Sequence, residues 1–299
     1  MRKRVFCFIG IALLLTATVT AGWATEHPDA KKEGPVSLLV VFVPESKIPK
    51  TGKTYTTAHY IATFDEESDV IRFTVFPYNL AVNVTLKGTT KLKQLIQICS
   101  ESGPQAVADA IQENFGIHID YWILTNMMPV PPLVDAIGGI QLDVPDLSIN
   151  KQAGYVKKLV GKPWVEVTRT GPQILSGVQA VGYLVDTTYG NPTIEEEENR
   201  FRERQEAFTR GVIAGLKGLQ LTTGSLIEMI EGVLKGYYLT NIDIKGVLTL
   251  AGIDRKCFDN PPKHLFLPIE ISTTKASNGW LSLKYTEADR EAVLAFVGQ

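Results

Sequence analysis

Residues Phe115 to Pro145, FGIHIDYWILTNMMPVPPLVDAIGGIQLDVP, constrain the fold more than any other stretch of the chain. His118 to Thr125 is rich in β-branched and aromatic residues and reads as a half-buried strand. Asn126 with Pro129, Pro131 and Pro132 marks the start of a helix, because proline in a first turn forfeits no intrahelical hydrogen bond. Leu133, Val134 and Ile137 supply its apolar face, and Gly138-Gly139 ends it. Ile140 to Val144 then alternates apolar and polar, the period of a strand. Strand, helix and strand within about thirty residues form the unit from which a helix-covered sheet is built.

The flanking chain continues the α/β pattern. Val36 to Val43 is almost continuously apolar, as a strand covered on both faces requires. Ala58 to Phe64 and Val70 to Pro77 read as a hairpin through a turn at Asp65 to Ser68. Helical spacing runs over Lys91–Ile98 and Gln105–Asn114, broken by Ser102-Gly103-Pro104. Ile149 to Thr168 is less regular, with room for a small hairpin around Gly161-Lys162-Pro163. Thr193-Ile194-Glu195-Glu196 has the form of a capping box, and the helix it opens sets Ile194, Phe201, Phe208, Val212 and Leu216 on one face. From Thr222 the pattern is helix, a turn at Asn241-Ile242, helix, a strand over Leu265–Ile271 and a last helix over Ala288–Phe296. No repeat or low-complexity tract splits residues 36–299, so one domain is expected there.

The N-terminus is of another kind. Arg2, Lys3 and Arg4 precede an uncharged apolar run from Val5 to Ala24. Gly22 and Ala24 suit signal cleavage, while the run's length also suits a membrane anchor, and both readings stand. In either case the basic end stays inside, which places the rest outside the cytoplasm. Thr25 to Pro35 is a polar linker. Without residues 1–24 the chain carries 27 basic against 32 acidic residues, a balance that argues against a nucleic-acid partner. Cys7 lies in the leader, which leaves Cys99 and Cys257 either as a disulfide or as two separate buried thiols.

Several other chemistries find no support. The four histidines, His27, His59, His118 and His264, show no metal-ligand spacing, and His118 with Asp120 reads as a structural pair. Gly138-Gly139 lacks the context of a nucleotide-binding loop, and no GxSxG elbow is present. The Asn83-Val84-Thr85 sequon is too common a triplet to carry weight.

The central stretch resembles the LytR-CpsA-Psr (LCP) family, also described as the cell envelope-related transcriptional attenuator domain. In that family an "IDYYVLVN"-like strand, a helix ending "LVDALGG" and a "VEVDVP"-like strand follow one another. Ile119-Asp120-Tyr121-Trp122, Thr125-Asn126 and Leu133 to Pro145 fit the pattern, and Gly171 to Leu184 resembles the "LDGEQALAYVR" segment. The resemblance implies an α/β fold with a central mixed β-sheet flanked by helices on both faces. It also implies a phosphotransferase that moves a glycopolymer from a polyprenyl-pyrophosphate carrier to peptidoglycan, and it favours the membrane anchor. Such a reaction is catalysed by positioning and charge neutralisation, with arginines and Mg²⁺ gripping the diphosphate.

Position by position, this chain departs from the family's charged set. Glu45 alone stands in for the acid after the first strand. Thr56-Thr57 replaces "SDT", and Tyr78-Asn79 replaces the charged pair of "PRD". Where "YVRxR" is expected, Tyr183-Leu184-Val185-Asp186-Thr187 puts Val185 and Thr187 at the two arginine positions. Arg204-Gln205 survives from "RxxRQ", with Arg200 displaced by one residue. With Phe201 at the origin of a helical wheel, Arg204 falls at about −60° and Gln205 at about +40°, both bordering the buried face, and Arg210 falls opposite. Arg204, Gln205 and Arg200 are therefore the candidate lipid-phosphate ligands. For Arg200, Arg202 and Arg204 the competing expectation is a surface ladder with Glu195 to Glu198.

Two functional expectations follow from the resemblance, and one stands outside it. The first is an envelope protein that binds a polyprenyl-phosphate lipid or glycopolymer intermediate with transfer weakened or lost. The second is an active transferase built on Glu45, Arg200, Arg204 and Gln205, with Mg²⁺ as its cofactor and peptidoglycan as acceptor. The third is an unrelated sugar-binding or structural envelope protein.

Overall fold

The computed structural model describes residues 34–44, 48–86, 88–185, 194–218, 239–251, 253, 255–270, 272–276, 279 and 281–298. The N-terminal leader and linker through residue 33 therefore lie outside the described residues, as do the capping-box Thr193 and the helix expected from Thr222 to residue 238. Among the described residues, no helix is long and apolar enough to cross a membrane.

Strand β1 (Val36–Phe42) is buried at every position, as its apolar run requires. It pairs antiparallel with β2 (Ala58–Asp65), which pairs antiparallel with β3 (Val70–Pro77) through the expected turn. The chain then adds β4 (Leu80–Leu86) and β5 (Thr89–Gln94), so Lys91 to Gln94 is strand where helical spacing pointed to helix. Four residues are too few for the two periods to be told apart. Helix α1 (Leu95–Ser102) starts only after them, and α2 (Pro104–Phe115) follows a break at Gly103, whose φ of +88° glycine alone adopts at low cost.

Strand β6 (Tyr121–Thr125) lies parallel to β1, and His118 to Asp120 lead into it as loop, held by Asp120 accepting from the Ser37 N–H at 2.9 Å. The helix expected next is α3 (Val130–Ala136), which buries Leu133 and Val134 and ends at Gly138 and Gly139, both at positive φ. Strand β7 (Ile140–Val144) alternates buried and exposed as expected. It does not return to the sheet of β6, however, and pairs antiparallel with β8 (Gly171–Leu175) in a separate two-stranded ribbon. Its outer face is solvated, which a central parallel strand does not allow. The hairpin expected around Gly161-Lys162-Pro163 is absent; the segment is a 3₁₀ turn and helix α4 (Ala153–Val160), capped by Gly161 at positive φ. Helices α5 (Gly177–Val185) and α6 (Ile194–Gly218) follow. The remaining elements are β9 (Leu239–Thr240), α7 (Ile244–Ala251), β10 (Lys263–Phe266), β11 (Ser272–Lys275), β12 (Leu281–Lys284) and α8 (Glu287–Val297). The strand expected over Leu265–Ile271 is thus shorter and earlier, ending before a cis Leu267-Pro268 bond.

The main sheet has the order β10-β3-β2-β1-β6-β9 and mixes parallel with antiparallel pairs. Alternate residues of its strands feed two separate cores. Val40, Phe42, Tyr60, Phe73 and Ile123 pack under α3, α5 and α6 through Leu133, Val134, Val181, Phe201 and Phe208. Leu39, Val41, Ile61, Phe76 and Leu124 pack under α1, α2 and α8, together with β4 and β12 of the second sheet. Helices thus cover both faces, as the family fold implies. Cys99 belongs to one core and Cys257 to the other, so the sheet separates the two thiols and no bridge forms. Burial pushes the Cys99 thiol up to about 12 and leaves it unreactive.

Asn114 ties the second core together. Its carboxamide accepts from the Asn83 N–H at 2.9 Å and donates to the Asn83 carbonyl at 2.8 Å, while Tyr285 Oη donates to it at 2.7 Å. Asn114→Ala leaves a backbone rung and a half-buried hydroxyl unpaired, an expected loss of about 2 kcal/mol. A urea midpoint that falls at unchanged m would register it, and an unchanged midpoint would refute it.

Candidate functional site

The last register row of the main sheet joins Phe42, Ala58, Pro77 and Thr125, because Ala58 opposes both Phe42 and Pro77 and Phe42 opposes Thr125. Strands β1, β3 and β6 all end at this edge and β2 begins there. Thr56, Tyr78 and Asn79 lie immediately beyond it. Residues distant in sequence are therefore gathered along one rim, at the carboxyl ends of parallel strands, where open α/β sheets place their ligands. Glu45 and Thr187 lie outside the described residues, and Val185 is the buried last residue of α5.

What the described residues of the rim offer is neutral. Thr56 is fully buried and its hydroxyl has no hydrogen-bond partner among the described residues. Asn79 Oδ1 is likewise buried without one, while the Asn79 carbonyl accepts from the Leu283 N–H at 3.1 Å. The Tyr78 carbonyl accepts from the Ile96 N–H at 2.9 Å and so serves the first turn of α1. Mg²⁺ is held by one or two carboxylates with waters and substrate oxygens. The described rim supplies none, and among the described residues no three His, Cys, Asp or Glu side chains come together.

Helix α6 brings the surviving motif over the sheet. Phe201, Phe208, Val212 and Leu216 face the core, as their spacing predicts, and Arg204 and Gln205 are carried inward with them, 6% and 1% exposed. Arg204 donates through Nη1 to the Tyr183 carbonyl at 2.6 Å, and its guanidinium lies 4.9 Å from the centre of the Tyr183 ring. That carbonyl lies near the C-terminal end of the described part of α5, where a cation is favoured by the helix dipole. Burial raises the Tyr183 hydroxyl pKa, with Arg204 pulling the other way.

Gln205 is held on its other side. Tyr60 Oη, from the centre of β2, donates to Gln205 Oε1 at 3.3 Å, and Gln205 Nε2 is buried with no acceptor among the described residues. A buried amide donor without a partner is costly in a protein interior, and such atoms mark places where a ligand completes the bonding. Tyr60 and Tyr183 are the site residues that the sequence did not single out. Tyr60 sits within an apolar strand, and only the helix laid across it reveals its hydroxyl as a positioning group.

The other arginines separate. Arg202 turns inward, donating through Nη2 to the Pro268 carbonyl at 2.9 Å with its guanidinium 5.6 Å from the Phe266 ring, which corrects the expectation that it belongs to a purely surface ladder. Arg200 is half-buried one turn earlier. Arg210 lies on the exposed side and pairs with Glu206 at 2.9 Å, as the helical wheel predicts. Beside Tyr183, a groove of about 580 Å³ runs between α6 and the Gly138 to Asp143 segment, floored by Ile137 and Leu142.

A mixed sheet with helices on both faces and a rim at its strand ends defines the class of fold that the motifs implied. The LytR_cpsA_psr family profile matches residues 16–291, and the chain belongs to that family. This removes the reading as an unrelated envelope protein. No curated protein matches the chain in sequence. Among solved structures, the chain is similar to gbs0355 from Streptococcus agalactiae, with a TM-score of 0.67 and 20% identity over 91% of this chain and 89% of that one. It is also similar to TagV from B. subtilis, with a TM-score of 0.63 and 17% identity over 89% and 96% of the two chains. TagT bound to LI-WTA matches with a TM-score of 0.61 and 15% identity over 89% and 92%. At these identities the likeness is one of fold.

Proposed function

We propose that this chain is an extracytoplasmic cell-envelope protein, tethered by its N-terminal segment, that holds a polyprenyl-phosphate-linked intermediate and transfers its glycopolymer weakly or not at all. The observation that carries the binding half is the Gln205 Nε2, which has no acceptor among the described residues, on the helix position next to Arg204, both residues being buried. A phosphate oxygen there would accept from Gln205 and be favoured by the charge of Arg204. The carrier's hydrocarbon would lie against Phe201, Phe208 and Phe42, apolar residues of the same core. The likeness to TagT bound to LI-WTA supports a glycopolymer intermediate as the ligand class.

The neutral rim carries the other half of the proposal. Thr56, Tyr78, Asn79 and Val185 replace charged groups of the family, and each lost contact to a developing phosphoryl charge costs about 2–4 kcal/mol of transition-state stabilisation. The competing reading, an active transferase, draws its support from Arg204 and Gln205 remaining side by side.

Protein purified in mild detergent, extracted and analysed by mass spectrometry, is expected to carry a polyprenyl phosphate. Gln205→Leu should reduce its retention about tenfold, the worth of one hydrogen bond of about 1.4 kcal/mol. Labelled glycopolymer should not pass from lipid to peptidoglycan in the presence of Mg²⁺. Rapid transfer abolished by Arg204→Ala would establish the competing reading, and a lipid-free preparation would end the binding one.

A further inference from the structure

A second cavity, of about 340 Å³, lies on the other side of the main sheet from α6, between β4, α2 and α8. Its wall includes the side of β4 that faces away from β5, and the hydrogen bonding along that edge changes character step by step. At its start β12 pairs with Leu80 and Ala81. At Asn83 the strand has run out, and the Asn114 carboxamide takes its place with one bond to the backbone N–H and one to the carbonyl. Strand alternation turns the N–H and C=O of Thr85 toward the same side. Among the described residues no group pairs with them, since the only side-chain bond of Thr85 is to the Thr90 hydroxyl at 3.1 Å. Past Thr85 the strand has one residue left. One rung is therefore open, next to a rung already filled by an amide.

The cavity beside that rung is polar. Glu113 is exposed, and Arg290 also lines the cavity, with Nη1 held by Glu287 at 2.9 Å. Tyr285, fixed to Asn114, lies along the same wall.

We propose that this cavity binds an N-acetylated amino sugar, whose acetamido group pairs with Thr85 as the Asn114 carboxamide pairs with Asn83. A secondary amide has one donor and one acceptor in the geometry the rung requires, and the ring hydroxyls match Glu113 and Arg290. An extended peptide is the other ligand that completes a strand edge. It needs several successive rungs and pockets for alternate side chains, and this edge supplies one rung and no apolar pocket. The site is independent of phosphate recognition under α6.

Saturation-transfer difference NMR on the full-length protein in detergent micelles tests the assignment, with N,N′-diacetylchitobiose as the probe. Saturation is expected to be strongest at the acetamido methyls and absent with cellobiose, which lacks them. Thr85→Pro removes the donor on the open side without breaking a ladder bond to β5, and Glu113→Ala removes a hydroxyl partner. Each should weaken binding about tenfold. If Thr85→Pro does not fold, Glu113→Ala decides. The assignment fails if the methyls receive no saturation, if cellobiose saturates equally, or if Glu113→Ala leaves binding unchanged. A capped dipeptide that displaces the sugar would overturn it in favour of a peptide edge.

Discussion

Gly177→Ala is expected to cost about 4 kcal/mol of stability, at or beyond the upper end of single-residue overpacking effects. A Cβ built on Gly177 would sit 2.2 Å from the Pro131 carbonyl oxygen, 2.4 Å from its Cα and 2.6 Å from its carbonyl carbon. All three are backbone atoms of α3, so no rotamer change relieves the contact. The helices α3 and α5 would have to part by roughly an ångström, and close-packed interiors transmit such a shift rather than absorb it. The Gly177 N–H also donates to Asp135 Oδ1 at 2.7 Å, a bond that separation would break. Gly154→Ala is the matching control. It lies in the first turn of α4 with ordinary helical φ, and an added methyl would meet nothing within 4 Å, so alanine should stabilise by about 0.5–1 kcal/mol. Urea midpoints of the two variants should therefore move in opposite directions. Equal, small shifts would show that α3 and α5 are not in backbone contact.

Gly177 also shows where sequence reading stops. Its segment matches a family motif, and the match locates the residue without saying why a glycine stands there. The reason is Pro131, forty-six positions away, and no local pattern reports it. The same holds for β7. Its alternation identified a strand correctly, but alternation says only that one face is wet, and two-stranded ribbon and main sheet both satisfy that locally. The apolar run of β1 was legible because burial on both faces leaves a composition that nothing else does, and β2 and β3 were legible as two strands joined by the turn at Asp65 to Ser68. At the candidate site, helical angles sufficed to bring Arg204 and Gln205 under α6. They could not supply Tyr60 or Tyr183, whose roles exist only once α6 lies across β2 and α5.

Acidification is expected to remove about 3 kcal/mol of stability between pH 6.5 and pH 4 through His59 alone. His59 lies in β2 with no exposed surface, and among the described residues neither ring nitrogen meets a partner in good hydrogen-bond geometry, the Phe76 backbone being the nearest approach to one. Burial lowers its pKa from 6.5 to about 3, with the Phe76 backbone opposing the shift. Between those two values the unfolded chain binds a proton that the folded chain refuses. Stability is therefore full above pH 6.5 and falls by about 1.4 kcal/mol per pH unit as pH drops through the window. His264, lowered to about 3 by burial and then by Arg210, adds a contribution of the same sign. Burial acts to raise Asp65, but hydrogen bonds from Ser68 and Arg72 outweigh it and hold the carboxyl below its ordinary 3.8, so its own loss begins only below pH 4. The window from pH 4 to 6.5 thus isolates the histidines. His59→Leu should remove one proton from the slope there while leaving stability at pH 7 unchanged or raised, because the buried imidazole it replaces gains at most a weak contact to the Phe76 backbone. A slope identical to that of the parent would refute the assignment. His59 and Tyr60 are consecutive residues on opposite faces of β2, so the strand that acid destabilises is the one that positions Gln205. Lipid retention should fall with pH over the same interval, and His59→Leu should protect it.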